Sequence, residues 1–437
     1  MTDWTSDANE ALALSLVRSR EDKESIAEDE VYEGFHPSFT YPIFGEDEKI
    51  YGYNDLVIDL RFTSGSLIQY LNTRYSEKLS SSSTVDDVEG TLSGFIPPTY
   101  YKDEEVFLTR VEEDATTFRP SGQLIYSYTR LSPLSSQKKK GKAVSDSQYL
   151  DSENPNAVAY EVYHATWDTP GFKEYHRRMQ IFILLYIEGG SYINEDEDSW
   201  EFVVLYEKRK RVKDPQIATY HFVGYSSLYP FYCFPERVRM RLSQFVILTP
   251  YQHHGHGSEL YKAIYKYVLS RPVIAELTIE DPAEAFEDLR DRNDLKMLLS
   301  DHRFMEEGFG SSEISHGGGR VGGIGRGGRS GRGGNTAPNM NGKMGPPSDK
   351  VWVEKWRSDL KIAGRQFQRL IEMLILLRLD PSDARALRAF RLQVKERLFR
   401  FNFEILAQLE KKERLEKLEE TFQSVREDYA RILAMIK

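Results

Sequence analysis

The 437-residue chain carries 58 Lys and Arg against 68 Asp and Glu, a net charge of −10, with 40% apolar and 12% aromatic residues. That balance argues against a general nucleic-acid binder, whose attraction to phosphate needs clustered Lys and Arg, and favours a basic partner; no direct DNA binding is expected. The length suffices for two or three domains with their own cores, and the single cysteine, Cys233, excludes an internal disulfide and fits a reducing compartment.

Residues 1–32 are polar and acidic, with seven acids between Glu21 and Glu33 against Lys23 alone, and read as a disordered tail with a short helix near residues 11–18. The aliphatic run in that helix is short, interrupted by Ser15, and follows Asp3, Asp7 and Glu10 rather than a basic stretch, so it does not read as a secretory leader. Residues 33–150 read as an α/β domain. Turns lead into an alternating strand ending at Phe62, residues 86–96 form a short helix stopped by Pro97-Pro98, and residues 135–152 form a polar surface loop.

Residues 151–305 are the best-patterned part. Thr169-Pro170 opens a helix that runs through Arg177, Gln180 and Ile187 to Gly189-Gly190. Strands over 200–208, 219–229 and 237–248, a helix over 255–269, a strand over 273–279 and a helix over 282–299 give a mixed sheet flanked by helices, an α+β class. The longest apolar run, residues 181–187, is far short of the roughly 20 residues a membrane helix needs. No membrane association is expected. Residues 306–350 read as a flexible Gly/Arg-rich linker, with eleven Gly and four Arg in the twenty residues 315–334. Residues 351–437 read as a helical domain, with Phe367, Leu370, Leu374 and Leu377 at three-four spacing and a turn at Asp380-Pro381-Ser382.

The sharpest motif is Gln252-His253-His254-Gly255-His256-Gly257, between a strand and a helix. A glycine turn at a helix start aims several backbone N–H groups at one point, where the helix dipole favours an anion. The alternative is an ordinary strand–turn–helix, since a bare G-x-G is weak. A Rossmann site would need a third glycine, and a Walker loop would need Gly-Lys-Ser/Thr. No metal site is expected. His253, His254 and His256 crowd one loop without a Cys cluster.

The spacing Q-x-x-G-x-G after a strand resembles the pyrophosphate loop of the Gcn5-related N-acetyltransferase superfamily. The segment Phe39-Thr40-Tyr41-Pro42-Ile43-Phe44-Gly45-Glu46-Asp47-Glu48, residues 167–193, Arg241-Leu242-Ser243-Gln244, and Thr278-Ile279-Glu280-Asp281-Pro282 resemble the type B histone acetyltransferase catalytic subunits. The likeness covers about residues 35–300 and, more loosely, the helical end. It implies lysine acetylation of newly made, soluble histone tails, histone four first, from acetyl-CoA by direct attack in a ternary complex. It also implies a WD-repeat histone-binding propeller as partner and residence in cytoplasm and nucleus.

The resemblance further implies roles for residues. The backbone of Phe245, Val246 and Ile247 would pair with the pantetheine arm, and the loop of Gln252, His253, His254, Gly255, His256, Gly257 and Ser258 would hold the pyrophosphate. Glu280 matches the general base, with Glu188 and Asp281 as nearby acids. Ala283 stands where the family often carries a side chain that touches the coenzyme, and alanine leaves backbone contact. Glu46, Asp47, Glu48, Trp200, Tyr229, Pro230 and Phe231 match segments that contact the histone tail, within the substrate-binding domain 33–150 and the acetyl-CoA-binding domain 151–305.

Independent chemistry supports a carboxylate base. A lysine ammonium of pKa about 10.4 must lose a proton before it can attack a thioester. An acetyl-cysteine route would have to use Cys233, which the aromatic run Phe231-Tyr232-Cys233-Phe234 leads one to expect as a packed thiol instead. The acidic clusters 46–48 and 195–198 read either as solvated loops or as attractors of Lys and Arg, with aromatics holding aliphatic stems. Two rival functions stand beside the main one: N-acetylation of another amine or protein substrate, and a non-catalytic histone carrier. An intact Glu280 and glycine loop favour activity.

Overall fold

The computed structural model describes residues 4–26, 30–80, 85–131, 157–211, 213–310 and 342–436. They form two compact units. The first is Met1–Arg271 with Ile279–Asp281, and the second is Pro272–Thr278 with Pro282–Lys437.

The first unit overturns the expectation of an acidic tail. Leu12–Val17 is a strand, not a helix, and it pairs in parallel with Val57–Thr63, Leu12 opposite Ile58. Gln69–Arg74 completes this small mixed sheet in antiparallel fashion. The physical reason lies in the run Leu12-Ala13-Leu14-Ser15-Leu16-Val17, buried almost throughout, as a strand covered on both faces must be. The acids that suggested a solvated tail have partners instead. Glu21 binds Arg211 at 2.6 Å, and Glu30 binds Arg209 at 3.0 Å. Asp22 accepts from the hydroxyls of Ser19 and Thr219.

Five strands of the same unit run antiparallel in spatial order: Gln123–Leu131, Ala157–Thr166, Glu201–Lys210, Ala218–Cys233 and Arg237–Ile247. The last two approach closely at Gly224, opposite Ile247. A Cβ there would stand 2.2 Å from the Val246 carbonyl oxygen, so only glycine permits the pairing. The helix expected to run from Thr169 to Gly189 divides at Gln180 into Phe172–Met179 and Ile181–Tyr186. Its cap position is Gly171, in the left-handed region at φ 73°, while the Thr169 hydroxyl takes the Thr166 N–H instead. His256–Ser270 buries Leu260, Ala263, Ile264 and Val268 at helical spacing against the strands.

The second unit holds the strand Ile274–Ile279 as far as Thr278, then Glu284–Ser300 and His302–Phe309. The helices Lys350–Asp359, Gly364–Arg378, Ala384–Phe401 and Lys411–Ala434 follow. Phe304, Phe367, Phe390 and Tyr429 are fully buried among them. The helix His302–Phe309 and buried Met344 carry folded structure into both margins of the expected linker. Its Gly/Arg-rich middle lies outside the described residues, as does the expected loop over 135–152.

Candidate active site

The glycine loop is held at both ends by buried side chains. At its start Tyr251 sends its hydroxyl inward, where it donates to Glu207 Oε2 at 2.7 Å and accepts from Arg18 Nη2 at 2.8 Å. Arg18 also pairs with Glu207 at 2.7 Å and lies 3.8 Å above the ring centroid of Tyr32. Burial pushes the Glu207 carboxyl up, but the Arg18 and Arg209 guanidiniums beside it hold it well below the usual carboxylate range. At the other end, His256 is packed against Tyr160 and shares a 2.6 Å hydrogen bond with the Tyr128 hydroxyl through Nδ1. Burial lowers the His256 imidazole to about 3, so the ring is neutral at physiological pH.

Between these anchors the chain is exposed at His253, His254 and Gly255. His253 and Gly255 both have positive φ, 62° and 79°, which turns the backbone sharply into the helix start. The Gln252 amide closes the turn by donating to the Ile247 carbonyl at 2.8 Å. A Cβ on Gly255 would lie 2.9 Å from Nη2 of Arg130, a guanidinium that also stands 3.6 Å from Glu259 in the first helical turn. The start of a 15-residue helix, with a cation against the turn, fits a phosphate-bearing ligand.

A second constellation lies at the other end of the Arg237–Ile247 strand. Trp200 and Tyr229 meet edge to face with ring centroids 4.8 Å apart, and Tyr229 and Phe231 lie at the same separation. Arg241, directly across from Tyr229, sets its guanidinium 4.2 Å from the Phe231 centroid. Its Nη1 is 3.4 Å from Glu280 Oε1. Glu280 is fixed by its own backbone, whose N–H donates to the Leu242 carbonyl at 3.0 Å. Three aromatic rings, a guanidinium and a carboxylate thus form one row.

Comparisons with known proteins decide the family. Residues 4–188 match the family model described as "Histone acetyl transferase HAT1 N-terminus", and residues 340–380 match "Fungal HAT1, C-terminal". The chain is 50% identical to the histone acetyltransferase type B catalytic subunit of Cryptococcus neoformans var. neoformans, over 100% of this chain and 98% of that protein. This chain belongs to the type B histone acetyltransferase catalytic subunits. The namesakes from Mycosarcoma maydis and Kluyveromyces lactis are 42% and 32% identical. They cover 98% and 99% of this chain and 87% and 93% of their own length. The α+β class and acetyltransferase activity expected from the sequence therefore stand.

As a type B acetyltransferase subunit, the chain places its expected site residues unevenly. Trp200, Tyr229, Phe231 and Glu280 come together. Pro230 does not, because strand alternation turns it to the opposite face, across from buried Met240. Phe245, Val246 and Ile247 pair on one side with Ser226, Tyr225 and Gly224. Gly257 and Ser258 lie in the first turn of the helix, and His256 offers only its backbone there. Glu46 and Asp47 are exposed, but Glu48 is committed to its own chain. Its carboxylate accepts from the Thr40 and Tyr41 N–H groups at 2.7 and 3.1 Å and from the Asn9 amide at 2.9 Å. The Thr40 N–H, with the Asn9 amide and the Tyr41 N–H, holds the Glu48 carboxyl below its ordinary value against the opposing pull of partial solvent exclusion.

Asp281 is exposed, with a positive φ of 31°. Glu188 is exposed, and its segment is tied to the Arg237–Ile247 strand by the Gln244 amide, which donates to the Ser191 carbonyl at 2.8 Å. Ala283 caps the Glu284–Ser300 helix of the second unit through its backbone. In the second acidic cluster, Glu195 is held by Arg177 at 2.7 Å. Sequence reasoning missed Arg18, Arg130 and Glu207, which lie over a hundred positions from the loop or act through buried pairs that no local pattern signals. Arg241 stood inside a recognised motif without a role.

Proposed function

We propose that this acetyltransferase moves the acetyl group of acetyl-CoA onto lysine side chains of newly made, soluble histone tails, histone four first, with Glu280 as general base. The observation that carries the reading is the row Trp200–Tyr229–Phe231–Arg241–Glu280. Aromatic faces suit the aliphatic stem of a lysine, and a carboxylate at the end of the row suits its ammonium. Acetyl-CoA supplies an activated thioester carbonyl. Glu280 takes the proton that the ammonium must shed, with Glu188 and Asp281 as further acids on the same unit.

At the other end, the turn over 252–257 and the N–H groups opening the helix bind the coenzyme's phosphates, and Arg130 adds a cation beside Gly255. The backbone of Phe245, Val246 and Ile247 guides the pantetheine arm between the two constellations. Exposed Glu46 and Asp47, within an overall charge of −10, favour a basic tail. The relatives' own name, catalytic subunit, supports a partner, which we assign as a WD-repeat histone-binding propeller, with residence in cytoplasm and nucleus.

Incubation with labelled acetyl-CoA and separate purified histones, followed by mapping of modified residues, tests this reading. Label on lysines of the histone four tail is expected. Label confined to chain N-termini or to small amines, or none at all, contradicts it.

A further inference from the structure

Arg241 is the member of the row that the reading above leaves without a task. Its guanidinium has the two partners that a substrate lysine would need, the face of Phe231 at 4.2 Å and the Glu280 carboxylate at 3.4 Å. Both charged side chains are part-exposed, 37% and 44%, and the ion pair is long. Such a pair contributes little stability and exchanges readily. The buried Arg18–Glu207 pair at 2.7 Å differs on both counts.

We propose that Arg241 is the resident occupant of the seat of the substrate ammonium, and that an incoming lysine must displace it from Glu280. The proposal rests on the assignment of this row as the lysine site. Two cations at one carboxylate repel each other, so the arriving lysine competes with the guanidinium before it can lose its proton. The guanidinium is a safe occupant because it stays protonated at any physiological pH and offers no free electron pair to a thioester. The seat therefore selects for a cation on an aliphatic stem, and between the two such side chains only lysine can react.

A lysine placed at position 241 makes the same point chemically. Its Nζ would reach the seat of the guanidinium and give a proton to Glu280. It would then attack the thioester carbonyl, forming an amide C–N bond as the C–S bond breaks and the coenzyme leaves as a thiol.

The test is steady-state kinetics on the full chain with acetyl-CoA and a histone four tail peptide, together with mass mapping of the enzyme after exposure to acetyl-CoA alone. R241Q is expected to lower the peptide KM about two- to fivefold, the scale of a part-exposed ion pair. A side chain with a merely structural role would raise KM or depress kcat when replaced. R241K is expected to carry an acetyl group at position 241, absent from wild type and from R241Q. An unchanged or raised peptide KM in R241Q overturns the proposal. So does an unmodified position 241 in an R241K enzyme that still acetylates the peptide. Failure of the wild type to acetylate any histone peptide would instead remove the lysine-site reading, and this proposal with it.

Discussion

The Tyr251 hydroxyl donates to Glu207 Oε2 at 2.7 Å, so the residue that begins the glycine loop is anchored to a carboxylate in the middle of the sheet. Arg18, just past the end of the Leu12–Val17 strand and more than two hundred positions earlier, completes the triangle through Nη2. The loop is therefore held in part by deeply buried charges distant from it in sequence.

Removing one corner of that triangle should be costly. Glu207→Gln leaves Arg18 without its counter-charge in a dry site, and Arg209 with Glu30 alone, at a cost of about 3–5 kcal/mol. Tyr251→Phe should cost about 1–3 kcal/mol and also raise the KM for acetyl-CoA, because the loop loses its tether. Denaturant unfolding checks the first figure, and coenzyme titration of the second variant checks the link to the site.

The same pair sets an acid limit. The folded carboxyl of Glu207 lies well below its ordinary value of 4.5. The stability it contributes is thus fully present above that value and is lost as pH falls through the folded one. Wild type should lose stability steeply below the ordinary carboxylate range, and Glu207→Gln should flatten that part of the curve. Equal slopes for both proteins between neutral pH and acid unfolding would refute the assignment.

At the phosphate end, Gly255→Val should weaken acetyl-CoA and spare the histone peptide. The side chain would resist a φ of 79° and collide with Arg130. Arg130→Gln keeps the turn and removes the cation, so it should raise the coenzyme KM by about tenfold, the scale of a charge-assisted hydrogen bond of 1.5 kcal/mol. A raised peptide KM at unchanged coenzyme affinity, in either variant, would detach this loop from the coenzyme.

The acidic cluster divides into two functions. Neutralising Glu46 and Asp47 together should raise the peptide KM and flatten its salt dependence, since exposed attraction is screened over about 8 Å at physiological salt. Glu48→Gln should leave the salt slope alone and lower thermal stability, because its carboxylate serves Thr40, Tyr41 and Asn9. Thermal melts beside peptide kinetics at two salt concentrations separate the pair.

The parts of the fold legible in the sequence are those set by local periodicity. The strands ending near Lys210, Cys233 and Ile247 and the helix after Gly255 follow directly from hydrophobic pattern and glycine placement. Leu12–Val17 differs from the expected helix because a strand with five of its six residues buried carries no period, and a strand among acids looks like a tail until its partners are known. The site follows the same division. The turn at Gly255 follows from the glycine motif and element order, and Glu280 is singled out only by resemblance, whereas Arg130 stands 125 positions before Gly255 and meets it only through the fold. Glu48 and Pro230 stand apart from their neighbours for a geometric reason. Sequence proximity to a binding segment does not tell which way a side chain faces or which backbone donors claim it.

The central claim, that Glu280 takes the proton of a substrate lysine, is tested most directly by Glu280→Gln, measured for both coenzyme binding and acetylation of a histone four tail peptide at saturating substrates. The account predicts coenzyme affinity within about twofold of wild type and turnover lower by about 10²–10⁴-fold, the loss typical of a missing general base. Turnover within a few-fold of wild type would contradict it.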